Sequence, residues 1–218
     1  LSYVIDTIPE VLFEQIQHHG LPEEILSGYE PLRVETSGGD IDTSQSITGT
    51  LLIKKIADRC MDVSRIDVYT EKYEKPKAFI GSREVSVSFS HTTDALAAAV
   101  SEKYNVGLDM ESMGRPVHKR LAERMKHFEE SPLLYEQNEW IRIWTLKEAA
   151  LKMIGTGLRK PMNSVSIIQM DKYGFSVQFD DGMRAKICSF PNHGHWISIC
   201  YRQLPKKHII DSKRLHII

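Results

Sequence analysis

Apolar and polar residues alternate most cleanly from Val85 to Ser90, where Val85, Val87 and Phe89 interleave with Ser86, Ser88 and Ser90. A period of two predicts a half-buried strand. Val106-Gly107-Leu108-Asp109-Met110-Glu111 also reads as a strand, with Leu108 and Met110 on one face and Asp109 and Glu111 on the other. The segment between them, Ala95 to Ser101, has helical propensity but little room to turn; we read it as a strand antiparallel to Val106–Glu111. Further strands are expected at Leu1–Ile5 and Ile66–Tyr69. In the last third, strands are expected at Val165–Ile168, Phe175–Phe179, Arg184–Phe190 and His195–Tyr201, with turns at Lys172–Gly174 and Asp180–Gly182. Helical spacing marks Pro9–His18, Ile47–Cys60 (stripe and edge Ile47, Leu51, Leu52, Lys55, Ile56), Pro116–Phe128 and Glu136–Ile154. Gly155 suits the C-terminal cap of the last of these. Gly28 to Ser46 is loop-like, and the tail from Leu204 is uninformative.

Helices followed by runs of short antiparallel strands occur twice without a repeat in sequence, which predicts an α+β fold of two similar halves. We place them at 1–101 and 102–202, with a tail at 203–218.

The candidate chemistry concentrates between Val106 and Lys152. Two carboxylates at i and i+2 on one strand face can share a hard cation. If the long helix packs beside that strand, Glu148 becomes a third oxygen ligand and Lys152, one turn on, stands ready for a phosphate. Three carboxylates with open water positions suit Mg²⁺. Ser90 and His91 are adjacent and so face opposite ways on a strand, which excludes them as a nucleophile–base pair. Gly155-x-Gly157 follows a helix rather than opening one and is not a phosphate loop. His193-x-His195 could bind a metal, but the pair reads more readily as a surface turn.

Composition narrows the classes. The 218 residues carry a net charge of −1. Residues 1–100 hold 9 basic and 16 acidic side chains, and residues 101–218 hold 19 and 13. The half with the carboxylate constellation is therefore the basic one, which suits an anionic substrate or an acidic partner. No zinc-finger spacing, ribonucleoprotein motif or strongly basic helix supports nucleic-acid binding. No apolar run is long enough for a membrane span, and the first residues do not read as a signal peptide. Three scattered cysteines (Cys60, Cys188, Cys200) argue for a reducing, cytoplasmic setting.

Taken in order, Ser90-His91, Gly107-x-Asp109-x-Glu111 and Trp144-x-x-Lys147-Glu148-Ala149-x-x-Lys152, with Gly155-x-Gly157-Leu158 and Pro161 downstream, resemble the motifs of the 4′-phosphopantetheinyl transferases. The resemblance covers roughly Tyr73 to Tyr201. It implies transfer of the phosphopantetheine arm of coenzyme A to a serine of an apo acyl or peptidyl carrier protein, with Mg²⁺ and release of adenosine 3′,5′-bisphosphate. By length the chain is similar to the longer, surfactin-synthetase-activator type, a monomeric pseudo-dimer with its site between the halves. The resemblance further implies that Lys75, in Lys75-Pro76, and Ser90 and His91 contact coenzyme A, and that Asp109, Glu111 and Glu148 hold the metal while Lys152 serves the phosphoryl group. Glu130 matches a family glutamate loosely and is the candidate general base. Glu129, Asp109 and a metal-bound water remain alternatives. The basic helix Lys119–Lys126, with Met125 as an apolar contact, is a candidate landing strip for an acidic carrier helix. A homologue that binds coenzyme A or carrier without turnover is the other reading. A metal-dependent nuclease does not fit the Glu148-to-Lys152 spacing.

Overall fold

A computed structural model describes residues 14–31, 41–61, 63, 65–71 and 74–205. The predicted strand at Leu1–Ile5, most of the predicted Pro9–His18 helix and the tail from 206 lie outside the described residues. Eleven strands and four helices are seen among the described residues. Six strands form one antiparallel sheet: β1 (Glu14–Gln15), β2 (Leu26–Pro31), β3 (Asp67–Tyr69), β4 (Lys77–Ile80), β5 (Arg83–His91) and β6 (Ala95–Ser101). Their spatial order is β1-β2-β6-β5-β4-β3. Five form a second: β7 (Tyr104–Ser112), β8 (Val165–Gln169), β9 (Gly174–Phe179), β10 (Arg184–Asn192) and β11 (His195–Gln203), in the order β7-β11-β10-β9-β8. The helices are α1 (Ile41–Cys60), α2 (Lys119–Met125), α3 (Pro132–Gln137) and α4 (Trp140–Met153).

The duplication is topological. One half runs β2-α1-β3-β4-β5-β6 with spatial order β2-β6-β5-β4-β3; the other runs β7-α4-β8-β9-β10-β11 with β7-β11-β10-β9-β8. Strand β1 and helices α2 and α3 are additions to that plan. The α+β architecture agrees with the expectation.

Several local expectations are corrected. Glu14–Gln15 is a strand paired to β2 rather than helix, and Gly28 to Pro31 belongs to β2 rather than to a loop. Strand β4 had no clear period and was not expected. The helix expected over Glu136–Ile154 is two, broken at Asn138 and Glu139, whose backbone is extended. Helix α1 turns its Leu52, Ile53, Ile56 and Ala57 inward and leaves Ile47 and Leu51 half exposed.

The pairing of β7 is the correction that matters for the site. It does not pair with β6. It pairs along its whole length with β11. Its other edge meets β5 through side chains. The Leu108 N–H donates to Ser88 Oγ at 2.8 Å and the Val106 N–H to Ser86 Oγ at 3.0 Å. The serines of β5 thus supply acceptors for edge amides that a neighbouring strand would otherwise satisfy. The polar face of β5 points at the other half rather than at solvent, and Ser88 and Ser90 are buried.

The same seam has an apolar core. Ile25, Tyr29, Ala95, Ala97 and Ala99 from the first half pack with Val106, Leu108, Met110, Phe190, Ile197 and Ile199 from the second. Helix α4 lies on the second sheet at close range. A Cβ on Gly107 would stand 2.2 Å from both Ala149 O and Met153 N, so glycine is what lets β7 and α4 approach.

Candidate active site

The seam brings β5, β7 and α4 together, and with them four of the eight residues singled out in the sequence. Lys152 Nζ donates to Asp109 Oδ1 at 2.8 Å and to Ser90 Oγ at 3.1 Å, and Ser90 Oγ donates to Asp109 Oδ1 at 2.9 Å. Asp109 is buried, and the Lys152 side chain is 26% exposed, so its ammonium lies at the rim of the cluster. Glu148, one turn before Lys152, is also buried.

Charge is crowded here. Burial first, and then the Asp109 and Glu111 carboxylates, push the Glu148 carboxyl up to about 7, against the pull of Lys152. Glu111 is raised for the same reasons, burial first and Asp109 second, with Arg115 opposing. Arg115 pairs with Glu111 Oε1 and lies over the Trp144 ring, 5.0 Å from its centroid. Sequence reasoning missed Arg115. The only signal was its position four residues beyond Glu111, just past the strand end.

Among the described residues, no three His, Cys, Asp or Glu side chains are already gathered around a metal-sized gap. Two observations nonetheless fit a hard cation. Asp109 Oδ2 and Glu148 Oε2 are buried without a hydrogen-bond partner, which is costly for carboxylate oxygens unless something else satisfies them. Burial first, and then repulsion from Asp109 and Glu111, disfavours charge on Glu148, and a bound divalent cation would offset both. The donor set is all oxygen, as Mg²⁺ requires.

Glu130 does not join this cluster. One oxygen accepts from the Ile167 N–H at 2.8 Å, and the other accepts from the His127 N–H and from Tyr135 Oη. Lys147 Nζ closes the arrangement at 2.8 Å, with both side chains fully buried. Glu130 and Lys147 form a saturated ion pair inside the core, where Lys147 also donates to the Val165 carbonyl at 2.9 Å. Burial lowers the Lys147 ammonium and raises the Tyr135 hydroxyl. Glu129 is exposed. Lys75 is half-buried with its ammonium turned inward onto four protein acceptors. His91 is half-buried next to Ser90 in β5. Met125 is buried in the core rather than offered as a surface contact, while Phe128, three residues on, is 91% exposed.

Fold and site together define a two-halved α+β protein whose carboxylates and lysine converge where the halves meet. Residues 105–207 match the family model of the 4′-phosphopantetheinyl transferase superfamily. Over 129 residues the chain is 27% identical to 4′-phosphopantetheinyl transferase gsp of Aneurinibacillus migulanus, covering 56% of this chain and 53% of the relative. Over 154 residues it is 27% identical to a 4′-phosphopantetheinyl transferase of Bacillus subtilis, covering 65% of each. The chain thus spans between half and two thirds of the length of these relatives. Through these residues it is similar to the 4′-phosphopantetheinyl transferase superfamily.

Proposed function

We propose that the protein transfers the 4′-phosphopantetheine arm of coenzyme A to a serine hydroxyl of an apo acyl or peptidyl carrier protein. The observation that carries this reading is the seam cluster, in which Lys152, Ser90 and Asp109 interlock beside the orphaned oxygens of Asp109 and Glu148. In the reaction the serine oxygen forms a bond to the phosphorus that carries the arm. The bond to the bridging pyrophosphate oxygen breaks, and adenosine 3′,5′-bisphosphate leaves. The reacting group is crowded and anionic, so positioning and charge neutralisation are the main tasks.

Asp109, Glu111 and Glu148 are the residues that would hold Mg²⁺. When bound, the ion neutralises charge on the pyrophosphate. Lys152 engages Asp109 and Ser90 with two N–H bonds and keeps a third for a phosphoryl oxygen. Ser90 orients both partners, and His91, half-buried next to it in β5, is assigned to the coenzyme A phosphates. With both Glu130 oxygens engaged in the core, we assign Glu130 and Lys147 a structural role. The serine proton then passes to Asp109 or to a water. We read 1–101 as the nucleotide side and 102–202 as the metal side of a monomer acting in the cytoplasm. Lys119, Arg120 and Arg124 are exposed on α2, and Phe128 supplies the apolar contact, a surface that suits an acidic carrier helix.

The test is intact-mass analysis of several purified apo carrier proteins incubated with coenzyme A, Mg²⁺ and this protein. One phosphopantetheine should be added to at least one carrier, and Glu148→Ala should remove the gain. No gain on any carrier, with coenzyme A still bound in calorimetry, would favour the binding-only homologue.

A further inference from the structure

We infer that Lys75 is a positioning residue, a buried ammonium that clamps the C-terminal end of α4 to β7 and β5 and so sets the spacing of Lys152 and Glu148 against Asp109. The inference rests on the proposed transferase reading for its kinetic consequences and on geometry for the clamp itself.

The helix end explains why a clamp is needed. The last four carbonyls of a helix lack intrahelical partners. Gly155, at φ 77°, closes α4 with a Schellman turn: Thr156 N–H donates to Leu151 O at 3.1 Å and Gly155 N–H to Lys152 O at 3.1 Å. Ile154 N–H reaches Ala150 O at 3.3 Å. The Met153 carbonyl is left over. Lys75 Nζ donates to it at 3.1 Å and Asn105 Nδ2 at 2.9 Å. A cation here also complements the negative end of the helix dipole.

The same ammonium reaches the other two elements of the site. It donates to Val106 O on β7 at 2.7 Å, to Asn105 Oδ1 at 2.5 Å and to Ser86 Oγ on β5 at 3.3 Å. Ser86 Oγ in turn donates to Asn105 Oδ1 at 3.0 Å and accepts from the Val106 N–H. The network is closed: three N–H bonds face four protein acceptors, and none remains for a phosphate. Val106 lies three residues before Asp109, and Met153 adjoins Lys152. The clamp also adjoins Gly107, where the backbones of β7 and α4 come close. Burial lowers the Lys75 ammonium to about 8, in keeping with its withdrawal from solvent.

The reading separates cleanly from a direct contact with coenzyme A. Lys75→Met keeps the length of the side chain and removes the donors. If Lys75 positions the site, kcat at saturating coenzyme A falls by about 10- to 100-fold, because small misplacements of reacting groups are costly. The KM and calorimetric Kd for coenzyme A change by less than about threefold. Asn105→Ala, and the milder Asn105→Asp, which keeps the acceptor for Lys75 and removes the donor to Met153, reproduce the loss in part. If Lys75 instead grips coenzyme A, Kd rises by about tenfold or more, kcat is kept and the Asn105 variants are silent; that result overturns the inference. Hydrogen exchange provides a readout that needs no turnover. Lys75→Met should speed exchange at Gly155 and Thr156 and leave β9 and β10 unchanged. Unchanged protection at the helix end would overturn the clamp even if no carrier is ever found, and a wild-type protein without turnover would leave this measurement standing.

Discussion

Lys147 and Lys152 stand five residues apart on one helix and meet opposite environments. Lys147 is fully buried against Glu130, while Lys152 reaches the rim beside Asp109. Breaking a buried pair leaves an uncompensated charge, so Lys147→Met should cost about 3–5 kcal/mol in urea denaturation. Lys152→Met should cost far less stability and remove carrier modification in the mass assay. Glu148 adds a pH dependence. Its carboxyl, raised to about 7, keeps in the folded state a proton that the unfolded chain loses near 4.5. In chelator, stability should therefore fall as pH rises from 4.5 through 7, by up to about 3 kcal/mol, and level off above. Urea titrations across that range should show the slope, and Glu148→Gln should flatten it. Part of the seam cluster was legible at this scale. Asp109, Glu148 and Lys152 announce themselves by type and spacing. Glu130 and Lys75 show what spacing leaves open: sequence shows that a charge is present but not whether protein atoms already satisfy it, as they do for both.

Among the elements, the contact between β7 and α4 governs the site, and Gly107 governs the contact. Gly107→Ala would drive a methyl into backbone atoms of α4 that have no rotamer to yield. We expect a loss of about 1–3 kcal/mol or more in thermal or chemical unfolding, with activity falling further as Glu148 and Lys152 move from Asp109. The elements themselves were partly readable. Strands β5 and β7 follow a two-residue period and α4 a helical one, whereas β6, small and buried on both faces, was readable only from the short room between its neighbours. Strand β2 was hidden because Gly28 and Pro31 look like loop residues, and the α3–α4 break because the helical pattern runs straight through Asn138. The serine face of β5 shows the limit most clearly. Alternation reveals two faces, yet a polar face buried against a second sheet has the same pattern as one in water.

At the level of the molecule, the two halves share one apolar seam, so each lacks part of its core without the other. Calorimetry should record a single unfolding transition, and a broad or double one would contradict a shared core. The duplication also sets the two halves apart at the corresponding place. Glu30 on β2 pairs with Lys55 on α1 at 2.7 Å, as Asp109 on β7 pairs with Lys152 on α4. Four residues before Lys152 stands Glu148; four before Lys55 stands Leu51. The first half keeps the acid–lysine pair and lacks the extra carboxylate. Charge is also divided at this scale, and reversing it locally offers a further check. Arg124→Glu should weaken carrier binding, measured by calorimetry, and leave coenzyme A affinity unchanged. A matching loss of coenzyme A affinity would count against α2 as the carrier surface.

Residue chemistry and local period were enough to establish an α+β chain with a carboxylate–lysine constellation, because ligand type and strand or helix spacing are properties of neighbours in sequence. Which edge β7 presents to which sheet, which lysine is buried and which reaches the rim, and why one of two similar halves gathers the carboxylates depend on contacts between residues far apart in the chain. Those contacts are set by desolvation and hydrogen-bond saturation at the seam, quantities that exist only once both halves are folded against each other.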